Sequence, residues 1–265
     1  MPKYFFDYID DIPKAVHNTL FSAQHLLAII MVVCSWVILT MIFKDKSTEK
    51  KWRFIALISL LLPLLEIAQM IWYKSIGQFY FGYTLPLHLC SLMCIILPLM
   101  AFTKNKLLME YSYAIGLATA LMTIITPDVY YYPSSSFIYL QSMLVHGIIC
   151  FIPIFLVFGM GFRPNIRNLP KVIGMLAGLA ILITPVNYIT DGNYFFLRYP
   201  APGSPMELFA NMVGSPWYLI PTLLLGCVLW TALYLPFIII EQRTKCKQLV
   251  QTELEEKKQP VLVGK

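Results

Sequence analysis

The chain has 265 residues, 58% of them hydrophobic, 14% aromatic and only 13% charged, with a mean hydropathy of +0.68. Soluble domains carry about 25% charged residues, so this composition excludes an ordinary one. The net charge of +6 does not describe a nucleic-acid binder, because the lysines and arginines fall in short gaps between apolar runs instead of clustering beside a soluble core.

About 20 apolar residues cross a hydrocarbon core of ~30 Å. Long apolar runs cover Leu20 to Phe43, Phe54 to Tyr73, Leu85 to Phe102, Leu107 to Ile125, Phe137 to Phe158, Val172 to Ile189 and Trp217 to Ile240. They predict an all-α polytopic membrane protein with seven transmembrane helices. The single membrane domain spans residues 1–241, followed by a polar cytoplasmic tail over 242–265 that reads as a helical extension or a frayed end. Pro63, Pro98, Pro153, Pro221 and Pro236 fall inside the runs and predict kinks.

Membrane-proximal cytoplasmic loops keep an excess of Lys and Arg. Lys44, Lys46, Lys50, Lys51, Arg53, Lys104, Lys106, Arg163, Arg167, Lys171, Arg243, Lys245 and Lys247 fall on one side, against Lys3, Lys14, Lys74 and Arg198 on the other. The N-terminus is therefore expected outside and the C-terminus in the cytoplasm, in a multi-pass protein of the cell membrane. The start of the chain lacks the basic, apolar and small-residue succession of a removable signal peptide. Cys34, Cys90, Cys94, Cys150 and Cys227 lie inside apolar runs and Cys246 outside them, which reads as buried free thiols, not a disulfide framework.

The predicted outer loops are aromatic and rich in turn formers: residues 78–84, 127–136 and 191–200. They fit either an interfacial aromatic belt or a cover that binds an amphiphile, and the length of Thr190 to Pro216 favours the second.

Ionisable and amide side chains at membrane depth are costly, so each is a functional hypothesis. Here they are Glu66 and Gln69 in the second run, His88 and Cys90 in the third, Gln141 and His146 in the fifth, and Asn187 near the end of the sixth. Helical rise places Glu66, Cys90 and His146 roughly 8 to 13 Å below the outer ends of their helices. Polar groups from four helices thus share one level, as a pocket opening outward requires. In a regular helix His88 and Cys90 point to different faces, so His146 is the better base for the Cys90 thiol. Thr84 and Pro86 read as the cap and first-turn proline of the third helix, whose dipole favours a Cys90 thiolate. Cys90 is then a nucleophile and His146 its base. Cys90 and Cys94, and likewise His146 and Cys150, are four apart and offer an alternative zinc set.

The string Leu85-Pro-Leu-His-Leu-Cys-Ser91, with the later His146-Gly147, resembles the bacterial YwaF-type integral membrane proteins, which are related to the eukaryotic transmembrane protein 164 acyltransferases. The resemblance implies an acyltransferase moving fatty acyl groups between phospholipids or lysophospholipids through a thioester on Cys90, with His146 as base and no cofactor or metal. Gln69, Gln141 or Asn187 would donate to the oxyanion, and Glu66 or His88 would orient His146. Two other classes remain open: a non-catalytic transporter or lipid-binding protein with Glu66 at its site, disfavoured by an inner half that reads as apolar, and a metal-dependent lipid hydrolase built on His88, His146 and Glu66.

Overall fold

The computed structural model describes residues 2–258, so the last part of the predicted tail, 259–265, lies outside the described residues. Among them the chain is all-helical. The helices are α1 (Ala23–Phe43), α2 (Thr48–Ser75), α3 (Leu89–Thr103), α4 (Lys106–Tyr111), α5 (Leu117–Ile125), α6 (Phe137–Phe158), α7 (Leu169–Ile189), α8 (Pro205–Val213) and α9 (Leu219–Lys258). Each of the seven apolar runs is helical. Six helical segments are long and apolar enough to cross a membrane, with α4 and α5 counted as the single stretch Lys106–Ile125. The third run is shorter, because α3 has 15 residues and extends only about 22 Å.

The start of α3 corrects the expected cap. Thr84 is not at the helix end: its hydroxyl accepts the Tyr80 amide at 3.0 Å and closes a turn four residues earlier. His88 is the N-cap, in extended backbone (φ −67, ψ 157), and offers no side-chain cap. Pro221 also differs from expectation, since it falls in the first turn of α9, where a missing amide hydrogen is harmless. Pro63, Pro98, Pro153 and Pro236 do lie inside helices, and so does Pro185, which was not among those expected.

Between α4 and α5 the chain makes a π turn, Ser112–Gly116, in which all five residues are buried. Such a turn inserts an extra residue into a helix and leaves carbonyls without their regular partners. Helix α9 takes one of them, as the Trp230 indole donates to the Ala114 carbonyl at 3.0 Å. The Tyr113 hydroxyl returns the contact to the Leu233 carbonyl at 2.8 Å.

Helix α6 is the centre of the bundle, with 72% of its apolar window buried, whereas α1, α7 and α9 bury 6%, 17% and 11% of theirs. The exposed Leu, Ile, Val and Met of those three helices form an apolar perimeter. A helix that is apolar on its outer face needs a lipid solvent. The main core joins Met93, Leu97 and Met100 of α3, Ile115 of the π turn, Ile124 of α5 and Ile149, Ile152 and Phe155 of α6. The aromatic loops meet at one end of the bundle, where the Phe137 amide donates to the Phe5 carbonyl and Tyr83 donates to Asp128. The basic loops meet at the other, where Lys51 donates to the Gly159 carbonyl at 2.8 Å and Lys104 lies over the Trp52 ring.

Candidate active site

Cys90 is the second residue of α3, with its thiol half-buried near the aromatic end of the bundle. The first hydrogen bond of the helix runs from the Leu92 amide to the His88 carbonyl at 2.9 Å. The amides of Leu89, Cys90 and Ser91 therefore have no partner within the helix, and no side chain caps them. The Cys90 sulfur lies 3.8 Å from the Thr119 hydroxyl, held in turn by the Ile115 carbonyl at 2.8 Å.

His146 reaches the same place from α6, and its imidazole and the Cys90 thiol are hydrogen-bond neighbours. Its Nδ1 lies 2.7 Å from the Ser142 carbonyl. A carbonyl only accepts, so Nδ1 carries a hydrogen, and in the neutral ring Nε2 keeps the lone pair. A neutral imidazole in that tautomer, beside a thiol, is set to remove its proton.

A match to the family model described as the TMEM164 family covers residues 20–234 of the chain, from the turn before α1 to Tyr234 in α9. The chain belongs to the TMEM164 family. No curated protein and no solved structure matches it. The matched span of this TMEM164 family member contains every predicted site residue from Glu66 to Asn187, and the protein is a multi-pass membrane protein.

The other predicted residues separate into three groups. Glu66, only 9% exposed, stands beside the pair: it is hydrogen-bonded to Ser91 and within electrostatic range of His146, and the Cys94 thiol lies 3.8 Å from its carboxylate. Nδ1 of His146 is already given to Ser142, so Glu66 makes no hydrogen bond to that nitrogen. Gln69 and Gln141 pair with each other at 3.2 Å, and the Gln141 amide nitrogen also donates to the Leu65 carbonyl at 3.3 Å. Both hydrogens of that nitrogen are thereby used.

Asn187 is engaged elsewhere. Its side chain donates to the Tyr194 carbonyl at 2.9 Å and accepts the Tyr194 amide at 2.6 Å, so it holds the loop after α7 and has no amide hydrogen bond directed at Cys90. That loop closes over the segment before α3. Tyr80 donates to the carbonyls of Thr190 and Asp191, and the loops touch so closely at Gly82 and Gly192 that a Cβ on Gly192 would stand 2.6 Å from the Gly82 carbonyl oxygen. Arg198 braces the loop from within, through Asp191, the Gly192 carbonyl and the Asn187 carbonyl. Its hydrogen bond to Asp191 raises the guanidinium above its ordinary value. His88 lies beneath this cap with its ring against Tyr194, Tyr83 and Phe196.

The zinc set does not assemble. Cys94 faces Glu66, Cys150 faces the Leu117 carbonyl at 3.9 Å, and among the described residues no three His, Cys, Asp or Glu side chains converge as a metal site. His88, Glu66 and His146 are likewise not gathered as ligands.

Sequence reasoning missed Glu110, hidden in a run read as apolar. It is 3% exposed, lies toward the basic end of the bundle and accepts from the Asn165 amide, the Asn168 side chain and the Tyr234 hydroxyl. It also missed His25, whose Nδ1 accepts the Phe21 amide while its Nε2 meets the Ile124 carbonyl at 3.0 Å. Both nitrogens of His25 are committed to backbone groups, which marks a structural histidine, whereas His146 gives only Nδ1 to the backbone.

Proposed function

We propose that this protein is an acyltransferase of the cell membrane that moves a fatty acyl group between phospholipid and lysophospholipid through a thioester on Cys90. The chain crosses the bilayer seven times, α3 completing its crossing with the turns at 84–88. The aromatic end and N-terminus lie outside and the basic end and C-terminus inside, following the Lys and Arg distribution. Cys90 therefore works on the outer leaflet.

The observation that carries this reading is the contact of His146 Nδ1 with the Ser142 carbonyl, beside the Cys90 thiol. With Nδ1 given to the Ser142 carbonyl, Nε2 takes the Cys90 proton and the sulfur attacks the ester carbonyl of a lipid. The unpartnered amides of Cys90 and Ser91 at the head of α3 point along the helix dipole and stabilise the oxyanion. On collapse, the ester C–O bond breaks, His146 returns the proton to the departing alkoxide, and a thioester and a lysolipid result. An acceptor hydroxyl then attacks the thioester, the C–S bond breaks, and its proton passes through His146 to the sulfur.

Glu110 bears on the transporter alternative, since a transport path needs polar groups open to both sides. Its oxygens are taken by Asn165, Asn168 and Tyr234, so it joins α4 to the α6–α7 loop and α9.

Intact-protein mass spectrometry of wild type and Cys90→Ala after exposure to lipid tests the proposal. A fatty-acyl adduct present only in wild type and released by neutral hydroxylamine is expected. Lipid remodelling by Cys90→Ala at the wild-type rate would remove the mechanism.

A further inference from the structure

We propose that Nε2 of His88 binds the hydroxyl of the acyl acceptor, an inference that rests on the thioester reading above. His88 Nε2 is buried and has no hydrogen-bond partner. Buried polar atoms without partners are costly and rare, and one beside a reactive group calls for a ligand. His25 and His146 make the contrast plain, because their nitrogens are taken by backbone groups and by the Cys90 thiol.

The ring has no freedom to find a partner by turning. It is wedged edge-on against Tyr194 with centroids 4.8 Å apart, against Tyr83 at 5.4 Å and beside Phe196 at 5.6 Å. Tyr194 and Phe196 are themselves fixed, the first through Phe81 and Leu85 and the second through the Tyr218 hydroxyl on its carbonyl. The Tyr83 carbonyl accepts a hydrogen bond from the imidazole, which leaves Nε2 as the nitrogen with the lone pair. The group that fits is a hydrogen-bond donor small enough to enter an aromatic enclosure, and a lipid hydroxyl is one.

Position relative to Cys90 gives this donor its role. His88 is the N-cap and its backbone is extended, so the rule that residues two apart on a helix diverge does not apply to it. Its Cα stands about 5.5 Å from that of Cys90, the spacing of residues two apart in a helix. In this proposal the hydroxyl held at Nε2 meets the thioester carbonyl on Cys90. His88 orients that oxygen while its proton leaves by the path through His146, so only the deacylation step gains from it.

The test uses the full chain in phosphatidylcholine vesicles, with lysophosphatidylethanolamine as acceptor. His88→Phe keeps an aromatic ring in the enclosure and deletes Nε2. The hydroxylamine-labile adduct on Cys90 should form at the wild-type rate and accumulate, while transfer to the lysolipid falls about tenfold, the effect of one lost hydrogen bond. His88→Gln, whose side-chain carbonyl accepts, should recover part of the transfer. Unchanged transfer in His88→Phe would mean that Nε2 meets only water and would overturn the proposal, as would equal loss of adduct and transfer in a variant with wild-type thermal stability. Should His88→Phe not fold, the acceptor KM of His88→Gln decides: raised with unchanged acylation supports the role, unchanged overturns it. Absence of any adduct in wild type would instead overturn the thioester reading itself.

Discussion

The Tyr194 hydroxyl accepts the Leu85 amide at 3.0 Å while donating to the Phe81 carbonyl at 2.6 Å. A fully buried side chain from the loop after α7 thus fixes the short segment that leads into the helix carrying Cys90. The position of the thiol depends on contacts more than a hundred residues away in sequence.

Tyr194→Phe keeps the ring against His88 and removes both bonds. With a partly buried amide and carbonyl left without this partner, a loss of about 1 kcal/mol is expected, read as a lower midpoint of thermal unfolding in detergent. Asn187→Ala strips the Tyr194 backbone of both its partners and should cost at least as much.

Replacing Gly82 by Ala sets a Cβ 2.8 Å from the Thr190 carbonyl oxygen and 2.9 Å from the Gly192 Cα. Neither neighbour is a side chain that can swing aside. The two loops must part, and limited proteolysis within residues 190–204 should speed up while α1 to α6 remain protected.

His146→Ala should slow acyl transfer by about 10²- to 10⁴-fold, the usual contribution of a general base. Cys90→Ala should abolish the adduct outright. Both variants should insert and unfold like wild type, because neither side chain is fully buried in the core, and alkylation of Cys90 by a maleimide should slow in His146→Ala. Equal alkylation rates would show that His146 does not activate the thiol.

Glu110→Ala leaves the Asn165 amide, the Asn168 side chain and the Tyr234 hydroxyl without their acceptor. A destabilisation of about 2–4 kcal/mol is expected from these buried donors. Maleimide reactivity of Cys90 in the surviving folded fraction should not change, since the two sites lie at opposite ends of the bundle.

Much of the fold was legible because bilayer thickness imposes a length on apolar runs, and each of the seven runs is a helix. The level shared by Glu66, Cys90 and His146 was legible for the same reason, as helical rise converts sequence position into depth. Local rules failed at the start of α3: Thr84 and Pro86 have the chemistry of a helix start, but the Thr84 hydroxyl was already taken by Tyr80. Asn187 was read from its depth alone, and its partner is a loop backbone that no periodicity signals. Glu110 escaped because one carboxylate barely lowers the hydropathy of a long window, although its donors come from a loop and from α9. The π turn has no local signature, for Ser112 to Gly116 would sit equally well in an α-helix.

That turn sets the rotational phase of everything after it. Glu110 faces α9 and the Asn165 loop from one side of it, and Thr119 faces Cys90 from the other. An unbroken α-helix through Ser112–Gly116 has one residue fewer to complete the same turn, and one residue is about 100° of rotation. Tightening the turn into a regular α-helix with all five residues kept would therefore act as a gear change: either Glu110 loses Tyr234 or Thr119 swings away from the Cys90 sulfur, with no side chain at either end altered, whereas deleting one residue there would let an α-helix keep both faces in phase.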